Sequence, residues 1–176
     1  MGCVKAFRPE KLVIAILTSA PERLSAQLGE LTESFGEIDF RSDPIPFTFT
    51  SYYTEEMGPD IIRVFAAFSA LVDPQSLAGI KIVTNALEDR WRVQGRRKTN
   101  LDPGLLGLSR FVLATTKDGS HRIPLAQGIY GEVTLTFEKG GFRPAPWTYP
   151  DYASAPYLEI LNRIRAAYKE QLADVT

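Results

Sequence analysis

An α+β fold is predicted by three features of the 176-residue chain. Lys11 to Thr18 is a continuous apolar run of strand length that passes at once into helix-start chemistry. Three segments place apolar residues at helical spacing, each beginning at a Ser or Asp close to a proline. Between them lie runs that alternate apolar and polar residues and end in Gly, Pro, Asn or Asp. The length and the 44% hydrophobic content suit one domain over residues 1–176, with a single substantial core.

The elements follow in order. Ser19-Ala20-Pro21-Glu22 has the form of a capping box with proline in the first turn. Leu24, Leu28, Leu31 and Phe35 then make an apolar stripe that Gly36 ends. Ile38 to Tyr53 is extended in character, with Pro44 and Pro46 confining its first half to an edge, and Pro46 to Tyr53 is expected to be a strand. Glu55 to Asp60 is a connection with a short helical turn, and Ile62 to Phe68 is the hairpin partner. Asp73-Pro74 caps a second helix carrying Leu77, Ile80, Leu87 and Trp91 on one face as far as Gly95.

Asn100-Leu101-Asp102-Pro103-Gly104 has the chemistry of a turn, since proline presets φ and glycine tolerates positive φ. Ser109 to Thr116 and Ile129 to Glu138 read as strands, separated by the Lys117 to Ser120 turn, and Lys139-Gly140-Gly141 closes a further hairpin. Ser154-Ala155-Pro156 opens a last helix with Tyr157, Leu161, Ile164 and Tyr168 in one stripe. Strand, helix, strand, strand, helix, strand is the ferredoxin-like split βαβ order, here with a mixed or antiparallel sheet extended by a C-terminal hairpin and helix.

Composition excludes several classes. Twenty Lys and Arg against 21 Asp and Glu give no basic field for nucleic acid or an anionic membrane, and nucleic acid ranks last among the partners considered. No apolar run approaches a membrane span. The lone Cys3 forms no intramolecular disulfide and no CxxC pair, which suits a reducing cytoplasm. A homo-oligomer could form through Phe47, Phe49, Tyr52 and Tyr53 if the sheet exposes them.

Asn100 to Gly104, Lys117-Asp118, His121 to Ile123, Gly128 to Tyr130, Glu132 to Leu135 and the run Pro146-Trp147-Thr148-Tyr149-Pro150-Asp151-Tyr152 together resemble a prokaryotic family described as a domain of unknown function. The resemblance extends upstream through Phe35-Gly36, Ile38-Asp39, Tyr52-Tyr53 and Glu56-Met57-Gly58 to the strand containing Phe68. It implies no established activity. Some members of that family carry a GTP-binding description, yet this chain has no Gly-Lys pair for a GxxxxGK[ST] loop and no GxGxxG. In Thr116-Lys117-Asp118 the acid stands one residue too early for a guanine-reading element.

The stretch from Arg96 to Lys139 carries the candidate site. Asn100 and Asp102 could orient a polar ligand or a hydrated Mg²⁺, the one cofactor this chemistry suggests; nothing marks a protein-built metal cage. Arg97 offers a planar fork for phosphate or carboxylate. Histidine is the side chain whose unperturbed charge change falls near neutral pH, which makes His121 a candidate acid or base. As neighbours on a strand, His121 and Arg122 should face opposite ways, so only one should reach a given pocket.

Ile129, Val133, Leu135 and Phe137 form one strand face, leaving Tyr130, Glu132, Thr134 and Thr136 on the other. Glu132 becomes a site residue if Pro144 to Tyr152, with Trp147 and Tyr149, folds across it. The expected convergence is Asn100, Asp102, His121 or Arg122, and Glu132 in one concave region under Trp147 and Tyr149. Asp102, Glu132 and His121 would take catalytic roles there; Arg97, Asn100, Arg122, Tyr130 and Trp147 would bind a small anionic or phosphorylated molecule, such as a nucleotide. A non-catalytic interaction module and an RNA-binding sheet are the alternatives.

Overall fold

The computed structural model describes residues 2–173. Strand β1 (Glu10–Thr18) is buried along its whole length, as its unbroken apolar run requires, and lies inside a nine-stranded sheet. The chain continues through a 3₁₀ turn into α1 (Leu24–Phe35), then β2 (Ile38–Arg41), β3 (Ile45–Pro46), α2 (Thr54–Met57) and β4 (Ile62–Val72). Next come α3 (Leu77–Arg90), β5 (Thr99–Leu106), β6 (Arg110–Thr115), β7 (Arg122–Pro124), β8 (Tyr130–Glu138), β9 (Gly141–Pro144) and α4 (Ala155–Ala173). The spatial order is β2-β4-β1-β5-β6-β8-β7, with β3 beside β4 and β9 beside β8. Every pairing is antiparallel.

Both sheet faces are covered. Leu12, Ile14 and Ile16 pack against Leu28 and Leu31 of α1, Leu77, Ile80 and Leu87 of α3, and Trp91 just after α3. Val13, Ala15, Phe65, Phe111 and Leu135 pack against Tyr157, Leu161, Ile164 and Tyr168 of α4. Gly36 ends α1 at φ 93°, donating its amide to Thr32 O, a left-handed position that glycine occupies without strain. Among the described residues no helix is long and apolar enough to cross a membrane.

Several sequence expectations need correction. The Ser19 capping box does not form: Ser19 Oγ donates to Met57 O (2.6 Å), and the first turn has no side-chain cap. Residues 47–53 are not a strand, because only Ile45–Pro46 pairs with β4 before the chain turns toward α2. Their aromatic rings gather instead, Phe47 lying 5.8 Å from Phe49 and 6.0 Å from Tyr53.

Asn100 to Gly104 is not a turn but the middle of β5, paired residue for residue with β1 from Lys11↔Leu106 to Thr18↔Thr99. Pro103 is tolerated inside the sheet because the β5–β6 ladder covers only Gly104 to Leu106 and stops where proline has no N–H to give. His121 lies in the turn before β7, outside strand alternation, so it and Arg122 point to one carboxylate.

Candidate functional site

The site begins where β5 and β6 part. On that open edge the amide of Leu101 donates to Glu88 Oε1 (2.9 Å), and its carbonyl accepts from Lys81 Nζ (2.7 Å). Two side chains of α3 thus do for β5 what a neighbouring strand would otherwise do, satisfying buried backbone groups that could not be left alone. The gap widens into a cavity of about 620 Å³, within the range of small-molecule sites. One wall is the aromatic loop of Phe47, Phe49, Tyr52 and Tyr53; the facing wall is Leu113 to Lys117, and Tyr149 to Tyr152 closes the third side.

Charged groups form the floor as one connected network. Arg63 is only 2% exposed, although Ile62, Val64, Phe65, Ala66, Ala67 and Phe68 surround it in β4. Its Nη1 donates to Asp102 Oδ2 (2.9 Å) and Ala15 O (3.2 Å), and its Nη2 to Asp151 Oδ2 (3.0 Å). The rings of Phe47, Tyr152 and Tyr157 stand 5.6, 5.6 and 5.9 Å from the guanidinium carbon, supplying cation–π contact where water is excluded.

Asp102 Oδ1 accepts from Asn100 Nδ2 (2.8 Å), and Asn100 Oδ1 accepts from Arg97 Nη1 (2.9 Å). Arg97 grips Glu56 with Nε (3.1 Å) and Nη2 (2.7 Å) and reaches Glu88 Oε2 with Nη1 (3.0 Å). From Glu56 to Asp151 there is a continuous chain of hydrogen bonds, in which neutral Asn100 joins the ion pairs of Arg97 to those of Arg63. Buried ions persist only when paired and hydrogen-bonded in this way.

The acids of the floor differ in proton affinity. Burial alone would raise Asp102, but the charges of Arg63 and Lys81 and the bonds from Arg63 and Asn100 outweigh it and hold the carboxyl below its ordinary value. For Asp151 burial prevails over Arg63, with the nearby Asp102 charge adding to it, so its pKa is raised. Glu88 is raised too: burial outweighs Lys81, the Leu101 amide and Arg97.

A second cluster stands across the gap. Glu132, 2% exposed, takes Arg122 Nε (2.9 Å) and His121 Nε2 (3.1 Å) on one carboxylate oxygen. Arg122 also donates to Tyr149 Oη (3.0 Å) and to the Lys117 carbonyl (3.1 Å). His121 stacks on Trp147 with ring centres 5.3 Å apart, and Trp147 Nε1 donates to Val133 O (2.9 Å). The Pro144 to Tyr152 segment therefore does fold against β8, burying the face that carries Glu132 and Thr134.

Of the residues singled out from sequence, Arg97, Asn100, Asp102, Arg122 and Glu132 line the cavity. His121, Trp147 and Tyr130 do not; the first two stand behind Arg122 and Glu132 as a stacked pair. Arg97 is engaged by Glu56, Glu88 and Asn100, so its fork is not open to a ligand anion. Both Asp102 oxygens hold a donor, and among the described residues no three His, Cys, Asp or Glu side chains are grouped to hold a metal ion.

Sequence reasoning passed over Arg63, Lys81, Glu88 and Asp151. The available signal was Arg63 itself, a lone cation between Ile62 and Val64 in a strand buried enough to demand partners. Lys117 was read as part of a turn and of the family resemblance, not as a site residue. It stands at the cavity wall with Nζ 5.2 Å from the centre of the Tyr52 ring and, among the described residues, makes no ion pair.

No curated protein and no solved structure matches the chain. A family model described as "Domain of unknown function (DUF4416)" matches residues 8–168, which include all the cavity-lining residues named above and both charged clusters. The chain that builds this parted sheet and its ionic floor thus belongs to the DUF4416 family.

Proposed function

We propose that the protein binds a small, flat organic molecule carrying one negative group in the cavity between β5 and β6. The observation that carries this reading is the division of labour within the cavity. Arg63, Lys81, Arg97 and Arg122 are already committed to carboxylates, while Lys117 at the wall has none. Rings of Phe47, Phe49, Tyr52, Tyr53, Tyr149 and Tyr152 offer surface to a planar body, and Lys117 offers a charge to a carboxylate or phosphate.

Binding, and not turnover, is the reading favoured here, because no His, Cys or Ser lines the cavity and its carboxylates are engaged by cations. A thermal-shift screen with nucleotides, sugar phosphates, aromatic carboxylates and divalent ions tests it. A ligand should raise the unfolding midpoint of the wild type, and Lys117→Ala should reduce that shift. Silence across the panel would refute the reading.

Two finer assignments belong with this proposal. The order β2-β4-β1-β5, with α1 and α3 packed on one face, supports a ferredoxin-like split βαβ core to which β6 to β9 and α4 are added. The one cysteine, Cys3, is exposed and free, which fits a reducing cytoplasm.

A further inference from the structure

We infer that the ligand of this cavity is a flat ring with a neutral hydrogen-bonding edge, an N–H set between two carbonyls, which Ala114 O, Asn85 and Tyr53 read while its anionic group lies at Lys117. The inference rests on the binding reading above and specifies the chemistry of its ligand. It starts from the strand edge that faces β5. The register Gly104↔Leu113 sets Ala114 opposite Pro103, and proline has no N–H. Arg110 O accepts from Gly107 N on the β5 side, and backbone groups alternate sides along a strand, so the Ala114 carbonyl turns the same way, toward β5. It meets no donor there.

The two sides of the gap are thus treated differently. Lys81 and Glu88 satisfy the Leu101 carbonyl and amide on β5, whereas among the described residues no group donates to Ala114 O on β6. Ala114 is 5% exposed and lines the cavity. A buried carbonyl without a donor carries a desolvation penalty, and a ligand N–H placed against it removes that penalty.

The charges below the rim are balanced. Arg63, Lys81 and Arg97 line the cavity against Glu88, Asp102 and Asp151, and Arg122 pairs with Glu132. What the wall leaves open is neutral. Asn85 and Tyr53 are half-buried, line the cavity and form no hydrogen bond among the described residues, and unlike Tyr152 Oη their polar atoms are not closed off from it. Asn85 stands between Lys81 and Glu88 at helical spacing, on the face of α3 that meets β5. Burial and the Asp102 charge raise the Tyr53 pKa, so its hydroxyl stays a neutral donor. Ala114 O accepts, while Asn85 Nδ2 and Tyr53 Oη donate. An N–H between two carbonyls matches all three.

Ala114 and Lys117 are three residues apart, at most roughly 10–11 Å along the chain. A carboxylate on the ring and a phosphate carried one sugar away both fall within reach of the lysine. Two sources therefore supply the chemistry, a pyrimidinedione carboxylate and a pyrimidine nucleoside monophosphate. Matched probes separate them by calorimetry. In one arm, orotate is compared with 1,3-dimethylorotate, whose ring N–H groups are blocked, and with benzoate, which has no such edge. In the other, uridine monophosphate is compared with 3-methyluridine monophosphate and with phenyl phosphate.

In one of the arms the parent compound should bind about tenfold or more tightly than both of its partners, since a blocked or missing N–H leaves Ala114 O unpaired beneath the ligand. Asn85→Ala and Tyr53→Phe should each lower the affinity of that parent about fivefold, the worth of one neutral hydrogen bond, and leave benzoate or phenyl phosphate binding as before. Neither side chain holds the fold by a hydrogen bond, so the unfolding midpoint of both variants should stay at the wild-type value. Parents bound no more tightly than their methylated forms, or than benzoate and phenyl phosphate, would overturn the inference and leave the anion-binding reading standing. A variant that binds the parent as the wild type does would overturn the role given to that side chain. No binding by any of the six compounds would overturn the inference, and the anion-binding reading would then be decided by the wider panel and Lys117→Ala.

Discussion

Replacing Arg63 with methionine keeps an unbranched stem among Phe47, Tyr152 and Tyr157 but removes the only guanidinium that Asp102 and Asp151 share. Deleting one partner of a buried ion pair costs roughly 3–5 kcal/mol, because the other charge is left uncompensated. Two carboxylates are stranded here, yet they are not equal. Asp102 keeps Asn100 and the field of Lys81, and its side chain is 25% exposed; Asp151 is 8% exposed. Asp151 should therefore dominate, and a loss of about 4 kcal/mol at neutral pH is expected, in the middle of that range.

Urea unfolding followed by the fluorescence of Trp91 and Trp147 measures the loss. The variant should regain stability as pH falls and Asp151 takes a proton, since the penalty is that of a charge and not of a shape. Combining Arg63→Met with Asp102→Asn and Asp151→Asn should recover about half of the loss or more, as replaced buried ion networks do. That combined variant also serves if the single one unfolds, given that domain stabilities are only about 5–15 kcal/mol. A cost below about 1 kcal/mol, or no recovery in the combined variant, would refute the account of Arg63 as the charge that holds the floor together.

Further outcomes follow from the same geometry. Gly104→Ala would set a Cβ 2.6 Å from Phe111 Cζ and 2.9 Å from Val112 O, and this overpacking should cost about 1–3 kcal/mol by urea unfolding. Glu132→Gln keeps the shape but takes the charge from Arg122, which retains Tyr149 and Lys117 O as acceptors; about 1–3 kcal/mol should be lost in the same assay. Because Glu88 is raised by burial, the native state holds more protons than the unfolded chain between the ordinary carboxylate value and the raised one. Stability should fall as pH rises through that window, and Glu88→Gln should flatten this part of the pH profile. Asp102, whose pKa is lowered, acts in the opposite sense: its contribution is complete above the ordinary value and lost as pH falls through the depressed one, and Asp102→Asn should remove that acid limb.

What could be read from the chain depended on whether a residue's local chemistry agreed with its tertiary setting. The apolar run of β1, the Asp73 cap, which accepts the Gln75 amide at 2.8 Å, and the Gly36 stop obey local rules, and all three stand where those rules put them. Asp102-Pro103-Gly104 obeys turn rules equally well, yet it forms strand. The proline nitrogen falls on the one edge where β6 has parted, and the absent Cβ of Gly104 leaves room for the Phe111 ring.

The aromatic alternation from Phe47 to Tyr53 misled for the opposite reason. Period two usually reports a pleated face, but here each ring serves a cavity wall and, among the described residues, strand pairing does not continue beyond Pro46. Half of the site was legible because Asn100, Asp102, Arg122 and Glu132 cluster in sequence. The other half reaches the same place from elements far apart in the chain: the register of β1 with its two neighbours sets Arg63 beside Asp102, α3 brings Lys81 and Glu88, and the segment before α4 brings Asp151.

The short ladder between β5 and β6 also leaves a thin seam in the middle of the sheet. Eight residue pairs tie β1 to β5, but only Gly104, Leu105 and Leu106 tie β5 to β6. Among the central strands β4, β1, β5, β6 and β8 this ladder is the shortest, and local opening favours the fewest hydrogen bonds, so within that centre amide exchange should begin at this seam. A molecule lodged in the cleft touches Asp102 on one side of the seam and Thr116 or Glu132 on the other. Occupancy would then act as a clasp, slowing exchange in strands it never contacts, and protection spreading on both sides of the seam would identify a bound ligand before its chemistry was known.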